Sequence, residues 1–204
     1  NPENVDRMKV RKEFGIDSQE IVLGMLARFT PGKGHEEFIW AARELNKKYT
    51  NLRYLVVGEP SRGEHNYANE IKQLTKDYKL ENLIFSGYRE DIPEVLAAMD
   101  IFTFPSHSEA FGIALVEAMA MQKPSVCSNS DGVLDIAVEG ETSYLFDNKN
   151  AEDLEAKLKL LIESKVRRNE FGEKARKRAI EQFELEKITD RTLEIYQEER
   201  SKIS

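Results

Sequence analysis

The chain has 204 residues, 40% of them apolar and 33% charged, which is enough for one large α/β domain with its own core. A net charge of −7 and a pI near 5.2 argue against a nucleic-acid surface, though they leave room for local basic spots. The single cysteine, Cys127, excludes an internal disulfide, suits a reducing compartment, and reads as a small core residue in the apolar run Pro124 to Cys127. No apolar run approaches the roughly 20 residues needed to span a bilayer, and no signal peptide, internal repeat or low-complexity tract is visible.

Residues 1–19 are polar, with a short helix predicted over Val5 to Phe14 and ended by Gly15. Ile21 to Leu26 is the first strand. It runs into Ala27-Arg28-Phe29-Thr30-Pro31-Gly32-Lys33-Gly34, a rigid turn flanked by two cations with a helix directly after it. Alone, that loop reads equally as a solvated turn or as an anion cradle. The following helix carries Phe38, Ile39, Ala42, Leu45 and Tyr49 on one stripe, with Trp40 as packing and His35 as a helix-start residue. Leu52 to Val57 is the second strand, ending at Gly58-Glu59-Pro60. Beyond the polar loop 61–66, Ile71, Leu74 and Tyr78 mark a helix closed by Lys79, with His65 on its surface. Asn82 to Ser86 is the third strand, followed by Gly87-Tyr88-Arg89-Glu90-Asp91. Asp91 is the expected cap of a short helix over Ile92 to Met99, with Pro93 in its first turn.

Asp100 to Phe104 is the fourth strand and ends at Pro105. A polar loop over Ser106 to Glu109 follows, and then an apolar helix with Ile113, Leu115, Val116 and Met119 that stops before Pro124. The start of that helix offers unpaired N–H groups and partial positive charge to an anion, and Gly112 lets backbone approach a ligand. Glu109 lies in the loop, with Glu117 about two turns along the helix. The two carboxylates are thus placed to accept hydroxyls on either side of a bound phosphate, those at Glu117 about 9 Å along at 1.5 Å per residue. The plainer reading makes Glu109 a cap and Glu117 a solvated face residue, though a free carboxylate among Leu115, Val116 and Met119 is costly without partners.

Pro124 to Ser128 is the fifth strand, with Asn129-Ser130-Asp131-Gly132 turning into 133–138, and Tyr144 to Phe146 is a short sixth. Asn150 caps a helix with Leu154, Leu158, Leu161 and Ile162 inward. In the charged stretch 163–181, Phe171, Ala175 and Ile180 form the apolar stripe. Arg167, Arg168, Lys174, Arg176, Lys177 and Arg178 read first as a solvated face, with peripheral membrane contact as the alternative. A last helix is expected from Lys187 to about Ser201. Strand–helix alternation of about six units implies a doubly wound, mainly parallel sheet with helices on both faces, and the loops singled out above fall on its carboxyl edge.

The stretch P-S-x-x-E-x-F-G-x-x-x-x-E-A-M-A, residues 105–120, resembles the E-x7-E motif of the retaining, group-one glycosyltransferases of the GT-B architecture, and the likeness runs from about residue 20 to the C-terminus. It implies the Rossmann-like donor-binding half of such an enzyme. Residues 1–19 would follow the interdomain linker, 20–182 would form the donor domain, and the 183–204 helix would pack toward a missing N-terminal acceptor domain. The 27–34 loop resembles the family's G-R-x-x-x-x-K-G loop, with Ala27 in place of the usual Gly. The resemblance assigns Arg28 and Lys33 to the donor diphosphate, Glu109 to the sugar and Glu117 to the ribose. Gly58, Tyr88, Arg89, Ala110, Phe111 and Gly112 become donor-binding candidates, the first three beside the nucleotide. His107 is a loop residue that could touch phosphate or sugar. Asp131, where the family has Gly, would add an acceptor near the sugar, while Gln122 and Ser143 also replace common glycines. No cofactor and no metal are expected, no nucleic acid is a partner, and the setting is cytoplasmic or at the inner membrane face. The alternatives are a non-catalytic donor-binding module and a GT-B-like nucleotide-sugar epimerase. A dinucleotide oxidoreductase lacks its G-x-G-x-x-G after the first strand.

Overall fold

A computed structural model describes residues 2–184, together with Lys187, Thr189, Leu193, Glu194, Tyr196, Gln197 and Arg200. Six strands, β1 (Ile21–Leu26), β2 (Leu52–Val57), β3 (Leu83–Gly87), β4 (Ile101–Phe104), β5 (Ser125–Ser128) and β6 (Ser143–Phe146), form one parallel sheet in the order β3-β2-β1-β4-β5-β6. They are short apolar runs because both faces are covered. Helices α2 (His35–Asn46), α3 (His65–Asp77) and α7 (Ala151–Ile162) bury Phe38, Ile71 and Leu158 on one face. On the other, α1 (Arg7–Glu13), α4 (Ile92–Ala98), α5 (Ile113–Ala120) and α6 (Val133–Ile136) bury Val10, Val95, Leu115 and Ile136. The long α8 (Lys165–Phe183) gives Phe171 to the first core and Ala175 and Ala179 to the second. Cys127 is buried in β5, and burial pushes its thiol up to about 12.

Up to residue 184 the predicted strands and helices are present with ends moved by a few residues, and several polar side chains take other work. Asp91 sits at the start of α4 but does not cap it. Its carboxylate instead accepts two 2.8 Å bonds from Arg89. Asp100, read as the first residue of the fourth strand, lies just before β4. There it accepts Arg7 and Arg11, each at 2.6 Å, and the Val22 N–H at 2.8 Å. Arg11 is wholly buried and also donates to the carbonyls of Ala98, Asp17 and Glu20, so it clamps α1 to the amino edge of the sheet.

The basic face of α8 is a correction. Arg168 donates to the carbonyls of Leu161 and Ile162 at the end of α7, Arg176 to Ala120 at the end of α5, and Arg178 to Asp135 and Ile136 in α6. Three of the six cations therefore cap the C-termini of other helices, where orphan carbonyls and the dipole favour positive charge. Arg167, Lys174 and Lys177 remain exposed. Ile180, expected inward, is exposed, and Gly172 and Ala179 take the inner positions. Of the expected last helix, Ile188 and Ile195 lie outside the described residues, while Leu193 and Tyr196 are exposed. Among the described residues no helix is long and apolar enough to cross a membrane.

Candidate functional site

The strand order reverses between β1 and β4, so the loops after these two strands part over a crevice at the carboxyl edge. Ala27, Arg28 and Lys33 from the first loop and Pro105, Ser106 and Glu109 to Gly112 from the second line a cavity there of about 370 Å³. Backbone contact sets the two loops together. Gly34, at φ +78°, lies so close to Pro105 that a Cβ would fall 2.2 Å from its carbonyl oxygen. The His107 N–H donates to Gly32 O at 2.8 Å, its ring pairs with Glu37 at 2.7 Å, and Asn148 donates to its carbonyl at 2.7 Å. His107 thus braces one loop against the other. Gly112, at φ +89°, turns the second loop into α5. Because α5 begins only at Ile113, Glu117 stands about one turn in, roughly 6 Å at 1.5 Å per residue, rather than two turns along.

Charge concentrates on this cavity. Lys33 Nζ lies 2.5 Å from Glu109 Oε1, and the Ser106 hydroxyl donates to the same oxygen at 2.9 Å. Arg28 makes one long contact, 3.3 Å to Ser61 Oγ. Thr30 donates to Glu64 at 2.5 Å, holding that carboxyl below its usual range and fixing the loop after β2 behind Arg28. The Thr103 hydroxyl, fully buried in the cavity wall, has no partner among the described residues. No described residue donates to the Glu117 carboxylate, and desolvation lifts its pKa above the usual 4.5. Such an arrangement suits a ligand that is anionic at its centre and hydroxyl-bearing at both ends.

Arg28, Lys33, Glu109, Ala110, Phe111 and Gly112 all line the cavity, whose lining on α5 ends at Ala114; Glu117 lies beyond it and is exposed, as the plainer reading of a solvated face residue has it. Gly58 does not line it. It packs behind the first loop, with Ala27 O 2.0 Å from where its Cβ would be. Tyr88 and Arg89 lie on the loop after β3, off the cavity. Tyr88 is 66% exposed, whereas the Arg89 guanidinium is committed to Asp91 and, at 2.5 and 3.0 Å, to Glu13. Those carboxylates hold Arg89 firmly charged, and its side chain pins α1 rather than waiting for a base or phosphate. Asp131 takes a left-handed φ of +36° and accepts the Ser108 hydroxyl at 2.6 Å, next to Gly132, whose N–H reaches Glu109 O at 3.1 Å. Ser106, Thr103 and Ser108 were not singled out from the sequence, although Ser106 belongs to the quoted motif. Among the described residues no group of three His, Cys, Asp or Glu is placed to hold a metal ion.

Residues 6–178 match the family described as Glycosyl transferases group 1. The chain is 28% identical over 193 residues to N-acetyl-alpha-D-glucosaminyl L-malate synthase of Bacillus anthracis, covering 94% of this chain and 49% of the relative. A crystal structure of Anabaena Alr3699/HepE in complex with UDP and glucose superposes with a TM-score of 0.87 at 27% identity, over 94% of this chain and 51% of that one. The C-terminal domain of LpcC from Francisella tularensis, a glycosyl transferase group 1 family protein, superposes with a TM-score of 0.79 at 27% identity, over 88% of this chain and 94% of that domain. The chain spans about half the length of the curated relatives it matches.

Proposed function

We propose a function that starts from the family to which the chain belongs, the group 1 glycosyl transferases: it is the half that binds a nucleoside-diphosphate sugar, and the whole enzyme transfers that sugar with retention at the anomeric carbon. The observation that carries this reading is the meeting of Arg28, Lys33 and the first turn of α5 with Glu109 in one cavity. The two cations and the helix start would face the diphosphate, where negative charge grows as the bond from the anomeric carbon to the leaving oxygen breaks. That charge is met by side chains and backbone, so the proposal includes no metal and no other cofactor. Glu109 would orient sugar hydroxyls and Glu117 would accept the ribose. The acceptor oxygen attacks from the face the diphosphate leaves, and its proton passes to a diphosphate oxygen, so Glu109 need not be a nucleophile. The acceptor would be held by a preceding domain, in the cytoplasm or at the inner membrane face.

By itself this chain binds donor without transferring sugar; turnover by the chain alone would overturn that. A thermal-shift panel of UDP, GDP, ADP, their common sugar conjugates and NAD tests the donor site. Ligand at ten times its dissociation constant stabilises by about 1.4 kcal/mol, which is about 3–5 °C for a domain of this size. A shift with one nucleoside diphosphate, without added metal, is expected. A shift with NAD alone would sink the reading. Product analysis on the full-length enzyme separates transfer from epimerisation, which would convert donor without acceptor.

A further inference from the structure

Lys33 and Glu109 are assigned to different parts of the ligand, the diphosphate and the sugar, yet without ligand they hold each other. The pair is short, at 2.5 Å, and largely sheltered, with the two side chains 23% and 18% exposed. Among the described residues Lys33 is the only cation paired with Glu109, and the buried Ser106 hydroxyl is the carboxylate's one other donor. Arg28 points its contact elsewhere, to Ser61.

Resting on the donor-site reading above, we propose that Glu109 discriminates between a nucleotide that carries a sugar and the bare nucleoside diphosphate, by competing with the diphosphate for Lys33. A bare diphosphate that draws on Lys33 sets its own negative charge beside the carboxylate in a partly dry site, and it brings no donor to Glu109. Like charges at that range repel strongly, and the carboxylate loses part of its only ion pair. A sugar-bearing nucleotide places the same phosphates but adds hydroxyl groups that donate to Glu109 and offset the loss. The discrimination has a direction in the reaction. Once the sugar has moved to the acceptor, Glu109 has lost its hydroxyl partners, and the diphosphate gains a charge when the proton it took from the acceptor passes to water, so Glu109 reclaims Lys33 and the product leaves.

Calorimetric titration of UDP and UDP-glucose, with GDP and GDP-mannose in parallel, into the wild type, Glu109→Gln and Glu109→Asp tests this. Glu109→Gln should bind the bare diphosphate about fivefold tighter or more than the wild type, since a repelling charge is gone. It should gain less, or lose, with the sugar conjugate, so that the ratio of the two affinities moves toward the bare diphosphate by about fivefold or more. Glu109→Asp keeps the charge and should keep the wild-type order. Glu109→Ala gives the same readout if the glutamine variant loses its cooperative unfolding transition. A wild type that binds nucleotide while the charge-removing variants bind bare diphosphate no tighter overturns this inference alone. A wild type that binds none of the four at millimolar concentration overturns it together with the donor-site reading.

Discussion

The two edges of the sheet use the same charged residue types in opposite ways. At the amino edge Asp100 is saturated by Arg7, Arg11 and the Val22 N–H, and buried Arg11 has four acceptors. At the carboxyl edge Lys33 and Glu109 share one short bond, and among the described residues Arg28 makes a single long hydrogen bond and Glu117 has no donor. One edge is a finished staple and the other is an incomplete set of partners. A buried charge is tolerable only when its partners are complete; in the second set only Lys33 and Glu109 are sheltered and they complete each other, with Ser106 as a further donor, while Arg28 and Glu117 are exposed and stay open to water or a ligand. Partner saturation, more than the number of charges, separates the structural cluster from the functional one.

The difference can be broken from either side. The largest expected effect is Asp100→Ala, which strands the Arg11 guanidinium. Losing one member of a buried pair costs about 3–5 kcal/mol, so thermal unfolding should fall by roughly 10 °C, with nucleotide affinity of the folded protein unchanged. A larger loss in binding than in stability would mean that the two edges are not separate. Lys33→Ala should do the reverse. A charge-assisted contact is worth about 1.5–3 kcal/mol, so nucleoside-diphosphate affinity should drop at least about tenfold in a titration, while the melting temperature should fall less than in Asp100→Ala because the Lys33–Glu109 pair is the more exposed of the two.

Glu117→Gln should weaken nucleotide binding several-fold and yet stabilise the unliganded fold at neutral pH. Its carboxyl is held above 4.5 by desolvation, so the folded chain binds more protons than the unfolded one just above that pH. Wild-type stability therefore falls as pH rises through that window, and the amide should remove the fall. A pH series of melting curves that is identical in the two proteins would contradict the shift. A further effect, seen only in alkaline solution, concerns Lys123, near the amino edge, which donates to the carbonyls of Ala97 and Met99. Burial, then the charge of Arg7, lowers its pKa from 10.5 to about 8, with Asp100 opposing and Arg11 adding to the shift. Here the folded state holds fewer protons, so stability should rise between pH 8 and 10.5, and Lys123→Met should flatten that rise.

Much of this was legible from local pattern. Apolar runs such as Ile21 to Leu26 and Leu52 to Val57 mark strands buried on both faces, and the 105–120 motif carries its helix start and both carboxylates in one stretch. What could not be read was pairing at a distance. Lys33 and Glu109 are 76 residues apart, and Arg89 and Glu13 are likewise 76 apart. Arg168, Arg176 and Arg178 look like a solvated stripe because the carbonyls they cap belong to other helices. Asp91 stands where a cap belongs, but a guanidinium two residues before it outcompetes a backbone N–H.

The place where the sheet reverses also bears on how the chain folds. Strands β1 to β3 and β4 to β6 are each built from neighbouring stretches, whereas the seam between them pairs Leu23 with Ile101 and Gly24 with Phe102. Closing so long a loop carries an entropic cost before any contact is gained, which slows parallel sheets in particular. Each cavity-lining loop belongs to a different half, so neither half alone contains the proposed nucleotide site. A nucleotide bound there spans the seam like a rivet. It would leave the rate of folding nearly unchanged, because its site does not exist until the seam is shut, and it would act by slowing the reopening.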